Sequence, residues 1–277
     1  MARLGRLIAV GLGAVGAGVL YYSNDDNRVL PVLHAAMKSD LQPAPSTKWD
    51  WNWDKREPAF LVRPSDGGED DIRFKNEVES ARPTATRHLL LIRHGQYNME
   101  GKTDRERVLT DIGIEQAKVT GDRLVALNFP YQTMIRSTMT RAQQTGDYIL
   151  TRMKPGSVAI KDDKLLEEGS PYPTEPSHGW KPEVNVFQAG SRIEAAFRNY
   201  FYRASNRQKE DSFEIIVCHA NVIRYFACRA LQLPPEAWLR LSLNHASITW
   251  ISIRPNGLVG LQYLGDSGHL PLELLTR

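Results

Sequence analysis

Leu89-Leu90-Leu91-Ile92-Arg93-His94-Gly95 is an apolar run that ends abruptly in a cation, an imidazole and a glycine. A run of this length bounded by glycine reads as a buried strand, and open α/β sheets gather ligands at the carboxyl ends of such strands. Arg93 and His94 are therefore expected at a ligand site, where Gly95 lets the backbone turn sharply or approach closely. Far downstream, Phe213-Glu214-Ile215-Ile216-Val217-Cys218-His219 repeats the arrangement, and Ala220-Asn221 opens a helix. Two strand-end histidines with an arginine beside one of them point to an anionic substrate.

A third element favours phosphate as the anion. Ser137-Thr138-Met139-Thr140-Arg141-Ala142-Gln143-Gln144-Thr145 follows a short strand and begins a helix, with Ser137 or Thr138 expected as its N-cap. The first turn of a helix attracts anions through its free N–H groups, and Arg141 adds a planar fork of donors suited to phosphate oxygens. Phosphoryl transfer needs a nucleophile, positive charge around the equatorial oxygens and a proton for the leaving group. A neutral imidazole can attack phosphorus in line. Arg93, Arg141 and a protonated second histidine could clamp three oxygens with no metal and no cofactor. Residue types alone leave open which histidine attacks.

These three motifs, in this order, resemble the signatures of the histidine phosphatase superfamily, in its phosphoglycerate mutase-like branch. Trp49-Asp50-Trp51-Asn52-Trp53-Asp54, Arg192-Ile193-Glu194-Ala195-Ala196-Phe197-Arg198-Asn199-Tyr200 and Asn221-Val222-Ile223-Arg224-Tyr225 are longer strings similar to the mitochondrial serine/threonine protein phosphatases of that branch. The resemblance implies a three-layer α/β/α fold with a mostly parallel sheet. It implies His94 as nucleophile, His219 as its partner, and Arg93 and Arg141 as phosphate-binding residues. It also places the general acid in a loop after the third strand, directly before a glycine, which picks Glu168 in Lys164-Leu165-Leu166-Glu167-Glu168-Gly169-Ser170. The residue before that acid is usually basic in the branch and is Glu167 here. An inward Glu167 would raise the Glu168 pKa by like-charge repulsion; a solvated Glu167 is the expectation.

Gln96 and Asn98 are candidates for substrate contact, with a role as plain loop amides equally open. Arg105 and Arg107 lie in a charge run of the kind that usually faces water. His245 could border the site and is expected to make a structural hydrogen bond. The function implied is that of a phosphatase acting on phosphoserine and phosphothreonine in proteins through a phosphohistidine. The alternatives are a small-molecule phosphatase or mutase, and a catalytically weak oligomeric scaffold. The intact set of Arg93, His94, Arg141, Glu168 and His219 weighs against the scaffold.

Strand-like segments at 88–93, 133–137, 158–162 and 213–219 alternate with helical patterns at 110–127, 138–153, 190–205 and 221–232, the rhythm of a doubly wound α/β domain. A hairpin, 247–254 and 258–264, closes it through Pro255-Asn256-Gly257. Residues 86–277 thus form the expected catalytic domain. Between 155 and 189, prolines and glycines favour an irregular wall beside Glu168, too short for the cover over a small substrate that phosphoglycerate-handling relatives carry.

Residues 7–22 are an uncharged apolar run of 16 residues, preceded by Arg3 and Arg6. As a helix it would span roughly 24 Å, a little short of the roughly 30 Å hydrocarbon core, and a cleaved secretory signal has similar features. With the resemblance, residues 1–24 are expected to be a single-pass mitochondrial membrane anchor, in the outer membrane before the inner. Residues 25–85 read as a linker. Within it Trp49, Trp51 and Trp53 would be costly to expose and must dock on the same domain, a second subunit or a membrane. The resemblance implies homo-oligomer assembly through 49–54, carried by Trp49, Asp50, Asn52, Trp53 and Asp54. An acidic adaptor-binding motif of some relatives is not intact at Asn76-Glu77-Val78-Glu79-Ser80. A net charge of +3, from 35 basic and 32 acidic residues, argues against a nucleic-acid partner. The two cysteines, Cys218 and Cys228, are too few for a disulfide framework.

Overall fold

The computed structural model describes residues 9–10, 19–20, 48–63, 71–177 and 183–277, in two units, Met1–Lys48 and Trp49–Arg277. In the first unit, Ala9–Val10 and Val19–Leu20 form an antiparallel pair of two-residue strands with Ala9 opposite Leu20. The remainder of the expected anchor, and the linker up to residue 47, lie outside the described residues. Among the described residues no helix is long and apolar enough to cross a membrane.

The second unit is built on six strands: β1 (Arg87–Arg93), β2 (Tyr131–Ser137), β3 (Ala159–Asp163), β4 (Ser212–Cys218), β5 (Ile248–Ile253) and β6 (Val259–Asp266). Their order is β3-β2-β4-β1-β5-β6. The first four run parallel, while β5 runs antiparallel to both its neighbours. Leu89, Leu90, Leu91 and Ile92 of β1 are fully buried because both faces of the sheet are covered. Side chains alternate between faces. Leu89 and Leu91 join Ile216 and Cys218 against helices α5 (Glu183–Tyr200) and α6 (Ala220–Ala230), through Phe197 and Phe226. Leu90 and Ile92 join Ile215 and Val217 against helices α3 (Asp111–Leu127) and α4 (Thr140–Leu150), through Leu124 and Ile149. The result is the expected three-layer sandwich with a mostly parallel sheet. Arg93 pairs in register with Cys218, so His94 and His219 leave the sheet at the same level.

Three expectations are corrected. The stretch 183–189 is helical rather than irregular, and α5 ends at Tyr200, with Phe201 and Ala204 buried beyond its end. Neither Ser137 nor Thr138 caps α4: its N-cap is Met139, and the Thr140 N–H donates to the Asp104 carboxylate at 2.9 Å from a separate loop. Residues 48–85 are not simply a linker, since they carry helices α1 (Pro58–Leu61) and α2 (Ile72–Ala81). Asp71 caps α2, its side chain accepting from the Arg73 N–H, and the helix buries Phe74 with Val78 and Ala81 half-buried on the same face.

The tryptophan segment docks on the catalytic unit of its own chain, one of the three options open from sequence. Trp53 is buried beside Phe197 at 6.1 Å and donates its indole N–H to the Gly257 carbonyl at 2.8 Å. Asp54 makes a fork to Arg203 at 3.0 Å, and the same guanidinium, 1% exposed, also donates to Glu57 at 2.7 Å and to the Trp51 carbonyl. The Asp50 backbone exchanges two hydrogen bonds with the Gln232 amide. Trp49 is half-buried, and Trp51 remains 48% exposed.

Candidate active site

The site forms where β1 and β4 end. The His94 N–H donates to the Cys218 carbonyl at 3.0 Å, so the sheet ladder carries through to the first histidine. The Gly95 N–H donates to the Thr145 hydroxyl of α4. A Cβ on Gly95 would stand 2.6 Å from the Gly113 carbonyl, and one on Gly113 would stand 1.9 Å from the Gln96 carbonyl. This pair of glycines lets the first turn of α3 press against the histidine loop.

His94 Nδ1 lies 2.8 Å from the Gly95 carbonyl. A carbonyl only accepts, so Nδ1 carries the proton and Nε2 keeps its lone pair. That lone pair accepts from Arg141 Nε at 3.2 Å. Burial first, then His219, Arg141 and Arg93, push the His94 pKa well below 6.5 and hold the ring neutral. His219 lies with its ring centroid 5.1 Å away, and its Nε2 is 2.8 Å from the Ser137 hydroxyl. Burial, then Arg141, Arg192 and Arg93, push its pKa down as well and hold this ring neutral too, where the sequence suggests a protonated partner. Arg93 donates to the Leu243 carbonyl at 2.6 Å and to His245 Nε2 at 2.8 Å. His245 in turn meets the Thr276 hydroxyl through Nδ1 at 2.9 Å. Burial brings Arg93 down to about 10, which leaves it charged at neutral pH.

Several buried nitrogens here have no hydrogen-bond partner: Arg93 Nε, Arg141 Nη1, His219 Nδ1 and Arg224 Nε. Buried polar atoms are normally satisfied, and this cluster of cationic and imidazole nitrogens, with the Asp104 Oδ1 oxygen also unpartnered beside Arg141, is chemically suited to an anion. Among the described residues no group of three or more His, Cys, Asp or Glu is placed to hold a metal ion.

Glu168 lies on the loop after β3. Its carboxylate accepts from the Gly169 N–H at 3.0 Å, yet burial dominates and raises its pKa above 4.5, with Arg141 and Arg93 pulling the other way. A carboxyl biased toward its protonated form beside two arginines can serve as an acid. Glu167 is neither turned onto Glu168 nor simply solvated: it is half-buried and accepts from the Thr138 hydroxyl at 2.6 Å. The amides of Gln96 and Asn98 are engaged in their own loop, Gln96 with the Thr110 hydroxyl at 2.7 Å and Asn98 with the Glu106 carbonyl at 3.2 Å. Arg107 donates to the Gly101 carbonyl in the same loop. Of the expected wall, the Tyr172 and Glu175 carbonyls accept from Trp238 and Arg240, and residues 178–182 lie outside the described residues.

Two residues at the site were not singled out from sequence. Asp104 accepts from the Thr140 N–H and hydroxyl at 2.9 Å and lies 3.6 Å from Arg141 Nη1, so it both caps α4 and braces the arginine. A capping box from Thr103 to Glu106, opening the three-residue turn Asp104–Glu106, was the available signal. Arg192 grips the loop that carries Glu168, and its only signal was its place in a long family string.

Residues 89–264 match the histidine phosphatase superfamily (branch 1), and the chain belongs to that superfamily. Over 268 residues it is 48% identical to the mitochondrial serine/threonine-protein phosphatase Pgam5 of Drosophila pseudoobscura pseudoobscura, covering 95% of this chain and 93% of that one. Over 286 residues it is 46% identical to the mitochondrial serine/threonine-protein phosphatase PGAM5 of Homo sapiens, covering 98% and 97% of the two. Its fold is also that of a solved structure described as a putative alpha-ribazole-5'-P phosphatase from Escherichia coli, with a TM-score of 0.50 at 20% identity over 65% of this chain and 96% of that one.

Proposed function

We propose that the chain is a metal-independent serine/threonine protein phosphatase that works through a phosphohistidine on His94. The observation that carries this reading is the fixed tautomer of His94, with Nε2 available to attack and Arg141 beside it. As phosphate binds, Arg141 Nε turns from the imidazole to a phosphoryl oxygen, while Arg93, Arg141 and His219 supply the unpartnered N–H groups for the others. The Nε2 lone pair forms the N–P bond as the P–O bond breaks, and the seryl or threonyl oxygen takes the Glu168 proton. The Glu168 carboxylate then accepts a proton from water as that water attacks phosphorus. The N–P pair returns to Nε2. Because Nδ1 keeps its proton on the Gly95 carbonyl, the leaving group is a neutral imidazole.

Protein substrates are favoured by the names of the relatives, which also support a mitochondrial location. A single-pass membrane anchor at residues 1–24 rests on the apolar run 7–22. Homo-oligomer assembly through 49–54 is supported by Trp51, half-exposed on a segment whose neighbours are seated. In the assembly, the segment of a second copy would occupy the seat that Trp53 and Asp54 fill here.

The test is rapid acid-free quenching during turnover of a phosphoserine peptide, with phosphotyrosine peptides and phosphoglycerates run alongside. An acid-labile phosphoenzyme is expected in the parent and absent, together with turnover, in His94→Ala. Phosphate trapped on His219 would overturn the assignment of roles, and preferential turnover of phosphoglycerates would point to a small-molecule enzyme.

A further inference from the structure

We infer that Arg192 of α5 is a positioning residue for Glu168, holding the acid by its backbone while leaving its carboxyl free. The inference rests on the reading of Glu168 as the acid. Arg192 Nη1 donates to the Leu165 carbonyl at 2.8 Å and to the Glu167 carbonyl at 2.6 Å, and Nη2 donates to the Glu168 carbonyl at 3.1 Å. One planar guanidinium thus gathers three carbonyls from a four-residue stretch, Leu165 to Glu168, that has no strand or α-helix to hold it.

The helix surface around Arg192 fits this loop closely. A Cβ on Gly169 would meet the Ala189 Cβ at 2.6 Å and Arg192 Nη2 at 3.0 Å, and a Cβ on Gly190 would meet the Pro171 carbonyl at 2.6 Å. The loop therefore lies against α5 at distances that glycine alone permits on both sides. A second helix contributes, because the Asn221 amide of α6 donates to the Gly169 carbonyl at 3.1 Å. Further along α5, the Tyr200 hydroxyl donates to Asp163, which caps the turn leading into the loop.

The choice of carbonyls over the carboxylate has a chemical consequence. An arginine paired directly with the Glu168 carboxylate would stabilise the ionised form and weaken the acid. Binding the backbone fixes the loop and leaves the carboxyl able to carry its proton. Lysine has a single point of charge and cannot reproduce the fork.

The test compares kcat and KM on a phosphoserine peptide and on 4-nitrophenyl phosphate, whose leaving group needs little protonation. The variants are Arg192→Ala, Arg192→Lys, Gly190→Ala, Glu168→Gln and the double variant Arg192→Ala with Glu168→Gln. Glu168→Gln is expected to slow the peptide by about 10²-fold or more and the aryl ester far less. Arg192→Ala should show the same selectivity in kcat, on the order of 10-fold or more for the peptide, with partial rescue by lysine and no further selective loss in the double variant. Gly190→Ala, which displaces the loop from the other side, should reproduce the pattern even if Arg192→Ala folds poorly. Equal losses on both substrates in Arg192→Ala and Gly190→Ala, while Glu168→Gln discriminates, would overturn the positioning role alone. A Glu168→Gln that fails to discriminate would overturn the acid and this inference with it.

Discussion

His94 and Glu168 are driven in opposite directions by the same burial. A buried imidazole loses its proton more readily, and a buried carboxyl keeps it longer. The pH profile follows from those signs. On the acid side, kcat/KM for a phosphoserine peptide should show no loss from His94 protonation until well below pH 6.5. On the alkaline side, it should fall as the Glu168 carboxyl ionises, at a pH above the ordinary 4.5. Substrate phosphate titrates near pH 6, so the comparison is with Glu168→Gln, in which the alkaline limb belonging to the enzyme should vanish. A limb unchanged in that variant would remove Glu168 from the acid role. At this scale, the sequence was readable where chemistry and position coincided: Arg93, His94, Arg141 and His219 each stand at a strand end or in a first helical turn. Arg192 and Asp104 were not, because a guanidinium that binds carbonyls and a carboxylate that caps a distant helix look like ordinary surface charges in one dimension.

At the scale of elements, the contact between α3 and the histidine loop is the tightest described. A Cβ on Gly113 would stand 1.9 Å from the Gln96 carbonyl oxygen, far inside any contact distance. The Thr110 side chain caps α3 through the Gly113 N–H at 3.1 Å, so neither partner is free to slide. Gly113→Ala should therefore push the loop and lower kcat/KM by about 10²-fold, as a displacement of roughly 1 Å can do. Thermal unfolding should report a stability loss of about 1–3 kcal/mol. Full activity in this variant would show that the loop tolerates the shift. The periodic elements, β1, β4, α3 and α6, were legible because burial imposes a pattern on their side chains. Helix α2 was not, since its apolar face is short, only Phe74, Val78 and Ala81, and it stands in a stretch otherwise polar and charged. The lower half of α5 escaped because prolines just before it suggested an irregular segment.

For the whole molecule, the role proposed for the tryptophan segment is to associate catalytic units. Its anchors are strong: an indole buried on Phe197 and a carboxylate fully enclosed with Arg203. Losing one partner of a buried ion pair typically costs about 3–5 kcal/mol. Replacing Trp49 and Trp53 by Ala in a chain lacking residues 1–24 should lower the mass measured by light scattering and reduce specific activity, while circular dichroism stays that of the folded catalytic domain. An unchanged mass would leave the segment as an internal strap with no part in assembly.

The same strap ties together parts of the chain made at very different times. Trp53 leaves the ribosome long before its acceptor, the Gly257 carbonyl, 204 positions later, and Asp54 precedes the Arg203 backbone N–H by 149. Until the last hairpin exists, the indoles have no completed seat and stay available to chaperones and proteases, as exposed apolar segments of nascent chains do. Seating of Trp53 therefore waits on the hairpin turn that carries Gly257. A chain cut short before Gly257 would leave the Trp53 indole without that acceptor.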